Sequence, residues 1–73
     1  IKIDCEGYEY FALKGAESLL IKHRPCIVVE QREAPNCPGR YGLPVTAAVD
    51  YLKSLGAVYR EDLNSDHVLS WDN

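Results

Sequence analysis

Cys26-Ile27-Val28-Val29-Glu30 is an unbroken apolar run that ends on a carboxylate. A strand with one wet face alternates polar and apolar residues, and this run does not. It reads as a strand buried on both faces, as in a parallel sheet covered by helices. Just upstream, Pro25 blocks continuation of whatever comes before it. That preceding stretch is helical in period, with Ala12, Leu13, Ala16, Leu19 and Leu20 at three- and four-residue spacings between Tyr8 and His23. Glu9, Lys14, Glu17, Ser18 and Lys22 take the other side. Gly15 weakens the middle and predicts a split into two helices. Lys22, His23 and Arg24 suit the C-terminal end, where the macrodipole favours cations. Ile1-Lys2-Ile3-Asp4 reads as the C-terminal part of an earlier strand, and Glu6-Gly7 as a turn. Strand, helix and strand over about 30 residues make a right-handed βαβ unit.

Downstream of Glu30, Gln31 to Pro44 holds Pro35, Pro38, Gly39, Gly42 and Pro44, a long loop directly after a strand end. Loops of that length in compact domains are often functional; plain surface excursion is the competing reading. Val45, Ala48, Val49, Leu52 and Leu55 then mark one face of a helix, with Pro44 in its first turn and Gly56 as its stop. Ala57 to Leu63 reads as a strand, Asn64-Ser65-Asp66 as a turn, and His67 to Trp71 as a final strand. Alternation puts Val68 and Ser70 on one face and His67, Leu69 and Trp71 on the other. Trp71 and Tyr59 are expected to pack the hairpin against the second helix.

The predicted order is β-α-β-α-β-β, an α/β fold whose first two strands run parallel and whose last two form an antiparallel hairpin. Standing alone, the first strand would present an open apolar edge, which proteins normally cover. A parallel strand from a preceding segment repairs it, so the chain reads as one half of a doubly wound sheet. The absence of Met, and a first residue already in a strand, favour a piece of a longer protein.

Composition narrows the partners. The chain has 73 residues, 47% of them hydrophobic, which is too apolar for a disordered tail and long enough for one small domain. A net charge of -3 without a basic stripe argues against nucleic acid. No apolar run reaches the ~20 residues of a membrane span. Cys5, Cys26 and Cys37 are odd in number and widely spaced. They read as free thiols in a reducing, cytoplasmic setting rather than as a disulfide or zinc framework. His23 and His67 read as a helix-end cation and a strand residue.

Ile1-Lys2-Ile3-Asp4-Cys5-Glu6-Gly7-Tyr8-Glu9, followed by Leu13-Lys14-Gly15-Ala16, resembles the C-terminal signature of the FkbM-type methyltransferases. Arg24-Pro25-Cys26-Ile27-Val28-Val29-Glu30 is similar to that family's second block, and Leu52-Lys53-Ser54-Leu55-Gly56 to the helix end before its closing hairpin. Cys5 replaces the commoner valine. Phe11 stands where a polar residue is usual, so its exposure is expected. The resemblance implies the C-terminal half of a Rossmann-like (class I) methyltransferase sheet. Ile1–Asp4 would be its fourth strand, Cys26–Glu30 its fifth, and the hairpin its last two. It also implies S-adenosylmethionine as methyl donor and a hydroxyl oxygen as acceptor. The glycine-rich turn and ribose-binding acid that hold most of that cofactor belong to the missing N-terminal half. Residues 1–73 alone are then expected to be inactive.

Ligands of open α/β sheets bind outside the carboxyl ends of the parallel strands. Asp4 and Glu30 both sit at such ends. Methyl transfer needs the acceptor oxygen aligned and its proton removed. Asp4 is the candidate base and touches the cofactor, while Glu6 and Lys2 complete the catalytic set. Lys2 shares a strand face with Asp4 and would keep it ionised. Glu30, Arg32 and Tyr41 are candidates for binding a small or saccharide-like acceptor, and Arg40 lies in the same loop. Each has a plainer role in competition. Asp4 would cap the helix, Glu6 would complement its dipole, and Lys2 would pair with Asp4 or reach for solvent. Glu30 would pair with Arg32 or Arg24, and the loop residues would only be solvated. Glu9 reads as an exposed or locally bonded helix acid. Magnesium held by Asp4, Glu30 and water is chemically allowed but less favoured than a metal-free site. A non-catalytic remnant pairing through its strand edge and a fragment of a different Rossmann-like enzyme are the alternative functions.

Overall fold

The structure, a computed structural model, describes residues 1–3, 8–31, 41–64 and 66–72. Its elements are β1 (Lys2–Ile3), α1 (Glu9–Gly15), α2 (Glu17–His23), β2 (Ile27–Glu30), α3 (Ala47–Ser54), β3 (Val58–Leu63) and β4 (Asp66–Ser70). They form a small α/β unit with one four-stranded mixed sheet in the order β1-β2-β4-β3. β1 runs parallel to β2, with Lys2 beside Val28 and Ile3 beside Val29. β4 lies antiparallel to both β2 and β3. The hairpin thus returns its second strand, not its first, to the centre of the sheet.

The predicted helix over Tyr8–His23 is divided as Gly15 implied. The break falls at Ala16 (φ −106°, ψ 15°), which ends α1 and opens α2. Arg24 ends α2 in the left-handed region at φ 46°, with its N–H on the Leu20 carbonyl at 2.8 Å. α3 starts later than its apolar pattern suggested, so Val45 lies in the turn ahead of it. Gly56 follows at φ +108°, where only glycine is unstrained. Asp66, assigned to a turn from sequence, already pairs with Leu63 and Glu30.

One sheet face carries Ile27, Val29 and Leu69. These meet Leu13, Leu20, Ala48, Val49 and Leu52 from the helices, along with Ala57, in a single buried core. Leu19, expected on the apolar face of the helix, is exposed. α2 has only seven residues, and Leu20 is its buried residue; a neighbour one step along is rotated by about 100°. Trp71 packs on the core edge and donates its indole N–H to the Pro25 carbonyl at 2.8 Å, tying the end of β4 to the entry of β2. Tyr59 meets the second predicted helix through Lys53, whose ammonium lies 5.4 Å from its ring centre.

Candidate active site

The parallel pair β1–β2 defines a carboxyl-end rim. β2 delivers Glu30 there, 5% exposed. The next residue, Gln31, accepts the Val49 N–H on its side-chain oxygen at 3.2 Å. Thr46 supplies no side-chain cap to α3, so a residue from the end of β2 does it instead. The strand end and the helix start are thereby held together.

α1 opens at the same rim with Tyr8 and Glu9. Glu9 is 1% exposed, which rules out the exposed half of its reading as an exposed or locally bonded helix acid. It stands four residues before the buried Leu13 and so belongs to the inward stripe of α1. That spacing is the signal in the sequence that would have found it. Neither buried acid is without a partner, and among the described residues no fully buried side-chain oxygen lacks a hydrogen bond.

Aromatic rings gather between these elements. Tyr8 lies 4.9 Å from Phe11 and 5.3 Å from Tyr41, edge to face with the latter. Phe11 also meets Tyr10 at 5.3 Å, and Tyr10 meets Tyr51 of α3 at 5.4 Å. Phe11 is therefore half-buried, not exposed, because the rings around it share its apolar surface. Tyr41, where the chain returns from the long loop, is fixed against the start of α1 and remains partly open to solvent. At the far side of the cluster the Tyr51 hydroxyl donates to Glu17. Burial first, and that bond to a carboxylate second, push the Tyr51 hydroxyl up to about 12.

Lys2 lies on β1 with its ammonium 4.0 Å from an Asp66 carboxylate oxygen. By register and alternation it shares a sheet face with Val28, Glu30 and Asp66. Asp4, Glu6, Arg32 and Arg40 lie outside the described residues. Of the residues singled out from sequence, the structure brings Glu30 to the rim, sets Tyr41 in the aromatic cluster at the start of α1, and gives Lys2 a partner on β4. Among the described residues no group of three or more His, Cys, Asp or Glu is placed to hold a metal. No described helix is long and apolar enough to cross a membrane.

Comparison with protein families matches residues 1–60 to the methyltransferase FkbM domain. The chain belongs to the FkbM methyltransferase family. The match begins at the first strand and runs into β3, so the rim, the aromatic cluster and α3 all lie inside the FkbM domain. No curated protein and no solved structure matches the chain.

Glu30 is a buried carboxylate at the carboxyl end of β2, and the rings of Tyr8, Phe11 and Tyr41 gather at the start of α1.

Proposed function

We propose that residues 1–73 form the C-terminal part of an S-adenosylmethionine-dependent methyltransferase that acts on a hydroxyl oxygen. Membership of the FkbM family over residues 1–60 carries this reading. The sheet order supports it, since a parallel pair followed by a hairpin that folds back beside it suits the distal half of a Rossmann-like sheet.

In this reading the N-terminal half of the domain, outside residues 1–73, holds most of the cofactor, and residues 1–73 alone do not turn over substrate. Bound S-adenosylmethionine supplies a methyl group already activated by its positive sulfur. Asp4 orients the acceptor hydroxyl and takes its proton, Lys2 keeps that carboxylate ionised, and Glu6 completes the catalytic set from the turn that follows. The proposal requires Asp4 to lie opposite Glu30, one step beyond the Ile3–Val29 pair. Glu30, Arg32 and Tyr41 hold a small or saccharide-like acceptor. The cell compartment is cytoplasmic, and a metal-free site is favoured over one that holds magnesium.

The test is transfer of an isotope-labelled methyl group from S-adenosylmethionine to small molecules of a cell extract by the full-length protein. The expected product is an O-methyl ether. Label found only on nitrogen or carbon removes the hydroxyl assignment. Asp4→Asn should lower the rate about 10²–10⁴-fold with the fold intact, as loss of a general base does. An undiminished rate takes Asp4 out of the catalytic set.

A further inference from the structure

β3 is the outer strand of the sheet, beyond β4. Tyr59 to Leu63 are all exposed, and Leu63 keeps 50% of its surface in water. Such an edge offers unpaired backbone groups to another strand. Charges and a bulge ordinarily discourage that pairing. In β3 both are arranged so that the strand complements itself.

The strand reads Val58-Tyr59-Arg60-Glu61-Asp62-Leu63. Laid antiparallel on a second copy about an axis between Arg60 and Glu61, it sets Arg60 opposite Glu61 twice. Val58 then faces Leu63 twice, and Tyr59 faces Asp62 twice. Opposite charges meet at the centre and apolar side chains at both ends.

The bulge makes this register possible. Opposed residues of an antiparallel pair must share a face, yet in a regular strand Val58 and Leu63 would point to opposite faces. In the ladder Tyr59 pairs with Leu69 and Glu61 with Val68, so Arg60 is an extra residue. The phase is reset. Val58 and Leu63, opposite Ser70 and Asp66, fall on one face, and Tyr59 and Asp62, opposite Leu69 and His67, on the other.

The backbone follows the same phase. The Val28 N–H donates to the Ile1 carbonyl at 2.7 Å, so Val28 addresses β1 while Ile27 and Val29 address β4. Their partners Leu69 and His67 therefore turn their backbone groups away from β3. Tyr59 and Asp62, opposite those two, turn theirs outward. These are the residues that the symmetric register opposes. Arg60 is held at this edge by Ser70 Oγ at 2.7 Å and Asp72 Oδ1 at 2.5 Å. Its guanidinium carries five N–H donors, so capacity remains for a further carboxylate.

We propose that β3 is a self-association surface: two copies join β3 to β3 about a two-fold axis, each Arg60 against Glu61 of the other, in one continuous sheet. A six-residue strand pair buries less than the roughly 1,200 Å² of a lasting interface, so the dimer is weak and salt-sensitive.

Sedimentation velocity on the full-length protein over about 1–300 μM tests this, a range suited to a weak interface. The expected result is a concentration-dependent dimer that dissociates in about 0.5 M salt. E61R and R60E, each opposing like charges, should raise the dissociation constant at least about tenfold while circular dichroism stays native. An equimolar mixture of the two variants, and the double variant R60E/E61R, should dimerise again, because each restores opposite charges at the centre. A monomer at every concentration overturns the proposal. So does a dimer indifferent to E61R, or folded variants that fail to pair when mixed.

Discussion

The side-chain oxygen of Gln31 and the amide nitrogen of Val49 lie 3.2 Å apart, which joins the end of β2 to the first turn of α3. The bond replaces an absent N-cap. Gln31→Ala should cost about 1 kcal/mol, the usual worth of a cap, and speed hydrogen exchange at Val49. Gln31→Glu keeps the acceptor and should keep the protection. Equal exchange in all three proteins would show that the bond does not hold the helix start.

Tyr51 gives a pH prediction. Its ionisation is pushed up to about 12, so its neutral form is the one the folded state favours. The sign follows: the stabilisation is complete below the tyrosine's ordinary value of 10.0 and is lost as pH rises through about 12. Ultraviolet titration should find one of the five tyrosines ionising near 12, and Tyr51→Phe should remove that step. A titration unchanged by the substitution would contradict the assignment.

Much of the fold was legible in the sequence. Helical spacing located the two stretches that hold α1, α2 and α3, Gly15 announced the break between α1 and α2, and the run at Ile27–Glu30 announced a strand parallel to the first. What escaped was the face each acid takes. Glu9 is polar, and polarity alone assigns it to solvent; only its spacing from Leu13 shows that it turns inward. The aromatic cluster was hidden for another reason. Tyr8, Tyr41 and Tyr51 are distant in sequence, and local periodicity carries no information about which loop end meets which helix. The bulge at Arg60 was equally silent, because no glycine marks it.

Gly56 separates backbone strain from packing. It has φ +108°, and an added Cβ would meet only the Trp71 ring at an ordinary 3.8 Å. Gly56→Ala should therefore destabilise through the backbone alone, by about 1–2 kcal/mol in urea unfolding. An unchanged midpoint would mean that the turn adopts another conformation.

Leu69 is fully buried at the middle of the sheet, between Ile27 and Tyr59. Leu69→Ala should cost about 2–5 kcal/mol, the range for a buried leucine whose cavity stays open. A loss below about 1 kcal/mol would place the core elsewhere.

The central claim is that this chain completes a methyl-transfer site. Calorimetric titration of S-adenosylhomocysteine into the folded full-length protein tests it most directly. The account predicts saturable heat with one site per chain. A well-folded sample that releases no heat at any concentration of the compound would contradict it.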